Sequence, residues 1–235
     1  RGLAGVVSLF IVGTQGIDPA GARDAIPEVH EVLRFAHDLR PPPFPGPIDH
    51  DLADEGAEVY ARACASCHGT YSSGTRDVWL LEHPNRLVAQ DRMGTDSVRW
   101  AAADAEALAL LGRIGYGKVV EPHNGGGYVA PDLSGVWATA PYLHNGSVPT
   151  LWHLLHASER PERFQVGGHA LDYERVGIAG ETGPDGVYRY PEGWRPTSRP
   201  MIYDTREPGR SNAGHAFETL TAAERRAVLE YMKVL

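Results

Sequence analysis

Cys64-Ala65-Ser66-Cys67-His68 decides how this chain is read. Its two cysteines are the only ones in 235 residues, which excludes a disulfide framework. Cys-x-x-Cys-His is the attachment pattern of c-type haem. Each thiol adds across one vinyl group of the porphyrin. Two cysteines three positions apart at a helix start lie on one side, spaced to reach both vinyls. The histidine directly after them places an imidazole under the iron as proximal ligand. Three other readings fit less well. A thioredoxin-like redox pair asks for no following histidine, and no βαβ pattern surrounds this one. A structural zinc site usually needs a second ligand pair, and no cysteine is left to supply it. A disulfide between residues three apart would staple very little chain.

Outward from the motif, Gly56, Val59, Tyr60, Ala63, Cys64 and Cys67 recur at helical spacing and predict a helix running into it. At the far end, Thr221-Ala222-Ala223-Glu224 is a capping-box sequence. It opens a helix with Leu220, Ala227, Val228, Tyr231 and Leu235 along one side. A helix carrying the thiols and a terminal amphipathic helix packed across it is the minimal cytochrome c arrangement. Tyr60 and Tyr231 are expected to pack the crossing rather than do chemistry.

Between these helices the pattern is looser. Residues 1–16 begin apolar and end in glycine, without an obvious small-residue cleavage site, and read as a buried strand or helix of an upstream region rather than a signal remnant. Residues 19–39 read as a polar helix with Val29, Val32, Leu33 and Ala36 on its apolar side. Arg40-Pro-Pro-Pro-Phe-Pro-Gly-Pro47 cannot be helix or central strand. It is an extended strap, and divides the chain into an N-terminal segment (1–39), the strap (40–48) and the main domain (49–235). Residues 96–111 predict a helix capped by Asp96 or Ser97 and ending near Gly112, Gly115 and Gly117. A short helix follows Thr150. Phe164–Ile178 reads as an irregular hairpin, and 180–214 as loop with one short strand around Met201–Tyr203. The fold class is therefore mainly α, a cytochrome c-like domain with long loops and a few short strands.

Composition agrees. Lys and Arg number 22 against 30 Asp and Glu, a net charge of −8, and nucleic-acid wrapping needs a basic face instead. Hydrophobic residues at 42% suffice for a packed core, and 27 Gly with 18 Pro predict a loop-rich chain. No apolar run reaches the roughly 18–20 residues of a membrane helix.

Gly135-Val-Trp-Ala-Thr-Ala-Pro-Tyr-Leu-His-Asn-Gly-Ser-Val-Pro-Thr-Leu151 resembles the bacterial di-haem cytochrome c peroxidase superfamily. The rubber-oxygenase-like branch is the most similar. It shares the Pro-rich strap, Asp172-Tyr-Glu-Arg-Val-Gly177, and Asp204-Thr-Arg-Glu-Pro-Gly-Arg-Ser-Asn-Ala-Gly-His215 before the closing helix. Members of that family carry two haems, one reactive and one relaying electrons. This chain has one motif, which by order matches the relay haem, and residues 1–40 resemble the tail of a missing domain. The resemblance implies a redox partner or a second haem domain, in a membrane-associated or multi-subunit assembly, and the haem motif, whose haem is attached outside the cytoplasmic membrane, implies a periplasmic or extracellular haem c protein. Peroxidase or oxygenase activity would need the missing haem.

The second axial position separates electron transfer from small-molecule chemistry. His215, in Gly214-His215 before the last helix, is the first choice. It follows a loop long enough to fold back, and the resemblance also points there. His144 is the second choice, or else bonds a haem propionate. Met93 and Met201 lie in loops, and Met232 reads as core. His153, His156 and His169 read as surface residues; His30, His37, His50, His83 and His123 read as solvated. Arg92 and Arg99 are candidates for pairing with propionates. The resemblance further implies calcium on the carbonyls of Thr139 and Pro141, and puts Trp137 in the core or along an inter-haem route.

Overall fold

The structure, a computed structural model, describes residues 7, 12, 14–113 and 124–235. The reading of residues 1–16 falls largely outside these, as do Gly115, Gly117 and His123. Among the described residues the helices are α1 (Pro19–Asp24), α2 (Ile26–Asp38), α3 (His50–Ala63), α4 (Ala65–His68), α5 (Gln90–Met93), α6 (Val98–Ala101), α7 (Ala105–Arg113), α8 (Leu151–Leu155) and α9 (Ala222–Met232). Ten short strands accompany them. They are β1 (Thr70–Tyr71), β2 (Leu80–Glu82), β3 (Leu87–Ala89), β4 (Gly127–Val129), β5 (Arg163–Val166), β6 (Leu171–Asp172), β7 (Gly177–Ile178), β8 (Glu181–Thr182), β9 (Val187–Arg189) and β10 (Met201–Asp204). That is more strand than a mainly α domain with a few strands, so the expected class holds only in part.

The chain divides into two compact units, one of residues 1–40 and 99–126, the other of 41–98 and 127–235. In the first, the helix expected over 19–39 is two helices. Asp18 caps α1 through its carboxylate, which accepts from the Ala20 and Gly21 amides at 2.9 and 3.2 Å. Pro27 then stands in the first turn of α2, where its missing N–H costs nothing but where a helix cannot simply run through. Of the apolar side, Val29 is buried, while Val32 and Ala36 are exposed. The helix expected over 96–111 is broken too. The Asp104 carboxylate accepts from the Ala107 amide at 2.8 Å and starts α7 afresh.

The second unit is built on the crossing of α3 and α9. The Asp49 side chain caps α3 by accepting from the Leu52 amide at 3.1 Å. Thr221 and Glu224 form the reciprocal capping box of α9. Ala53, Gly56, Val59 and Tyr60 of α3 face α9, whose residues 227–232 are all buried. A Cβ on Gly56 would lie 2.0 Å from the Ala227 carbonyl oxygen, so glycine is what lets the backbones meet. Tyr60 and Tyr231 pack at the crossing, ring centroids 5.3 Å apart. The Asp49 amide donates to Glu230 at 2.7 Å, and the Gly135 amide to the Leu235 carbonyl at 2.8 Å. Val148, Leu151, Leu155 and Val176 extend this core. The short helix expected after Thr150 is α8, and Thr150 caps it by accepting from the His153 amide at 3.1 Å.

The later half of the unit is the part least like the expectation. Only β6 and β7 form the hairpin predicted within 164–178. β5 instead pairs antiparallel with β10 and parallel with β9, giving a sheet of order β10-β5-β9-β8. Phe164, Ile178 and Tyr188 form a small second core beneath it.

Candidate haem site

The motif sits where α3 ends. Cys64 leaves helical geometry (φ −123°, ψ −38°) while its amide still donates to the Tyr60 carbonyl at 2.8 Å. The single turn α4 follows, with the Cys67 and His68 amides both donating to the Cys64 carbonyl at 3.0 Å. Gly69, at φ +97°, ends that turn in a region open to glycine. A Cβ there would also meet the Glu82 carbonyl at 2.6 Å. Both sulfurs are unbridged and half-buried, so the disulfide reading gains nothing. Burial, with the neighbouring Cys67 adding to it, pushes the Cys64 thiol up to about 11.

His68 is aimed by its backbone neighbours. Its Nδ1 bonds the Pro131 carbonyl at 2.7 Å, which leaves Nε2 available to a metal. The loop carrying Pro131 is itself tied down. His83 Nε2 bonds the Ala130 carbonyl at 2.9 Å, and the Leu133 amide donates to the Tyr71 hydroxyl at 2.7 Å. Arg86 donates to the Ser66 carbonyl at 3.3 Å, and its own carbonyl accepts from the Ala130 amide at 3.0 Å.

Opposite His68 stands His215. The two ring centroids are 6.2 Å apart, with the planes 39° from parallel. That spacing has room for one metal ion held by both imidazoles through bonds of about 2 Å. His215 Nδ1 is buried without a hydrogen-bond partner among the described residues. Burial pushes the His215 imidazole down to about 4, with His68 and then Arg160 adding to the effect. Burial lowers His68 as well. Two neutral imidazoles facing each other beside two free thiols suit a covalently held haem. His215 itself adopts φ +49° and follows Gly214 at φ +93°. A non-glycine residue in that region is held there by its surroundings.

The other predicted residues have their own surroundings. His144 stacks on Tyr128 with centroids 4.6 Å apart. Met232 is buried in the α9 core, Met201 is exposed and Met93 half-buried. Arg92 is exposed on α5, and Arg99 is exposed in the other unit. Trp137 packs edge-on against Phe44 at 5.6 Å, as a core residue would. Thr139 is exposed, its hydroxyl donating to the Val136 carbonyl at 2.9 Å, and Pro141 is half-buried. Among the described residues no group of three or more His, Cys, Asp or Glu gathers to hold a metal ion. Calcium therefore stays an implication of the resemblance.

The surface reading of His153 is corrected. It is 5% exposed, with Nδ1 2.7 Å from the Thr150 hydroxyl and its ring edge-on to Tyr188. The solvated reading of His50 and His83 is corrected as well. Both are half-buried, His50 bonding Thr75 Oγ1 at 3.1 Å. The surface reading of His156 and His169 is corrected too: both are half-buried, His156 stacking on Trp152 at 3.9 Å. The His37 side chain lies outside the described residues. Two residues escaped sequence reading. Pro131 had a weak signal, an X-Pro loop pair whose carbonyls are spared from ladders. Arg160 had none, because all its partners are main-chain carbonyls.

Two family models match the chain. Residues 127–165 match the family described as RoxA-like, cytochrome c-like. Residues 51–113 match cytochrome C oxidase, cbb3-type, subunit III. Both describe cytochrome c-type domains, which implies covalently bound haem c and haem-based electron transfer. The chain is also similar to two uncharacterized proteins of Sinorhizobium fredii (strain NBRC 101917 / NGR234). One, y4iJ, is 28% identical over 262 aligned positions, 84% of this chain and 41% of the relative. The other, y4iM, is 32% identical over 214 positions, 78% of this chain and 45% of the relative. The chain thus spans less than half the length of either relative.

Proposed function

We propose that this chain, with its matches to RoxA-like and cbb3-type cytochrome c domains, relays single electrons through one haem held by Cys64 and Cys67, with His68 and His215 as its axial ligands. The observation that carries the proposal is the 6.2 Å separation of the facing His68 and His215 rings. The bound haem would supply a one-electron Fe(III)/Fe(II) couple, at a lower potential with two imidazoles than with His and Met. The chain's own residues do the rest. The Pro131 carbonyl fixes the ring orientation of His68, and the α3–α9 crossing fixes the position of both cysteines. With both imidazoles already in place, a change of charge calls for little rearrangement.

Low-temperature electron paramagnetic resonance of the ferric protein tests this, with His215→Ala beside the parent. A low-spin parent and a high-spin variant support bis-imidazole ligation. A low-spin signal unchanged in the variant moves the distal ligand elsewhere. A high-spin parent overturns the relay reading in favour of an open iron site.

A second reading rests on the length of the relatives. A chain covering 41% and 45% of two longer proteins suits the relay half of a larger peroxidase- or oxygenase-like haem protein. Its redox partner would then be a second haem domain or subunit. Either reading sets the protein outside the cytoplasmic membrane, where haem c is attached. Among the described residues no helix is long and apolar enough to cross a membrane.

A further inference from the structure

The segment 212–215 reaches the site as a strap, and one side chain holds most of it. Arg160 follows α8 and is half-buried. Its guanidinium has five N–H donors, and all five are used on main-chain carbonyls. Nε donates to His153 at 3.0 Å and one Nη2 hydrogen to Leu154 at 2.7 Å. These are carbonyls of the last turn of α8, left without helical partners. The other three donors go to the strap. Nη1 donates to Asn212 at 2.5 Å and to Gly214 at 2.8 Å, and Nη2 to the carbonyl of His215 itself at 3.2 Å. On the opposite side, Gly214 lies hard against the 93–95 turn. A Cβ there would be 2.5 Å from Thr95 Cγ2 and 2.9 Å from the Met93 carbonyl. The strap is held from two sides, and its one non-glycine residue with positive φ is the one facing His68.

We propose that Arg160 is a positioning residue for the distal imidazole: by locking the 212, 214 and 215 carbonyls to the end of α8, it holds His215 opposite His68. The inference rests on the reading of His215 as second axial ligand. Without the clamp, the strained backbone at His215 relaxes and the imidazole spends part of its time off the iron. Arginine is required because the five acceptors need a planar fork. A lysine carries three donors on one nitrogen and cannot reach both faces of the junction.

The test uses the full holoprotein in four forms: parent, His215→Ala, Arg160→Gln and Arg160→Lys. The first readout is the ferric spin state; the second is the rate of carbon monoxide binding to the ferrous protein, which requires the distal ligand to leave. Loss of the clamp by one charge-assisted hydrogen bond's worth of free energy raises carbon monoxide binding about tenfold. The expected result is a mixed-spin Arg160→Gln protein that free imidazole returns to low spin. Arg160→Lys is expected to resemble Arg160→Gln rather than the parent. Should Arg160→Gln fail to fold, Arg160→Lys decides. If His215→Ala turns high-spin while the folded Arg160 variants keep the parent's spin state and binding rate, the positioning role is overturned and the ligand reading stands. If His215→Ala stays low-spin, the ligand reading falls and the positioning role with it.

Discussion

Gly56→Ala sets two well-calibrated effects against each other. Gly56 lies inside α3, where replacing glycine with alanine ordinarily stabilises a helix by about 1 kcal/mol. Here the new Cβ would lie 2.0 Å from the Ala227 carbonyl oxygen, 2.5 Å from its carbon and 2.9 Å from Tyr231 Cβ. Restoring van der Waals contact requires α9 to retreat by about 1.4 Å, since such contacts begin near 3.4 Å. The obstacle is backbone, so no rotamer change relieves it. The retreat also opens the Tyr60–Tyr231 contact and strains the Glu230–Asp49 hydrogen bond. Overpacking of this kind costs about 1–3 kcal/mol, and more where backbone must move. The net effect is a destabilisation of about 2 kcal/mol, or a melting temperature lower by roughly 4–8 °C for a chain of this size. Urea unfolding of the holoprotein, followed by haem absorbance and far-ultraviolet circular dichroism together, measures it. The midpoint should fall with the slope unchanged. A variant as stable as the parent, or more so, would show that helix propensity wins and that the crossing is not tightly packed.

Other tests follow from the same structure. His153 is held neutral in the core at about 4, below its unfolded value of about 6.5. The unfolded chain therefore binds the extra proton between those values, and stability falls as pH drops from about 6.5 toward 4, by at most about 3 kcal/mol. His153→Gln should flatten that slope in urea unfolding at pH 7 and pH 5; an unchanged slope would assign the acid sensitivity to other groups. Thr221→Ala removes the hydroxyl that accepts from the Glu224 amide and should cost about 1 kcal/mol. The loss should appear as a lower urea midpoint, with the ferric spin state unmoved.

What was legible in the sequence were features written locally. The haem motif, the apolar face of α3, the capping box of α9 and the short helix after Thr150 each use residues a few positions apart. The Tyr60–Tyr231 contact followed from combining two such faces. Asp104 was also a local signal, but its capping role was hidden inside an alanine-rich run that reads as continuous helix. The partners of β5 lie far along the chain in β9 and β10, and nothing in Arg163–Val166 names them. His153 looked like a surface residue because its burial comes from Tyr188, again remote in sequence. His215 was singled out from chain order and resemblance, and its ring lies 6.2 Å from that of His68. How the strap is fixed was not anticipated, because a clamp onto carbonyls leaves no side-chain pattern.

The Asp49–Glu230 bond joins residues 181 positions apart, and the helix that completes the core around the motif is made after everything it packs on. Contacts so distant close late, because the loop entropy must be met before they contribute. In the closed form burial raises the Cys64 thiol, and a thiol is a poorer nucleophile than its thiolate, so a tightly closed core around the motif disfavours forming a new thioether at Cys64.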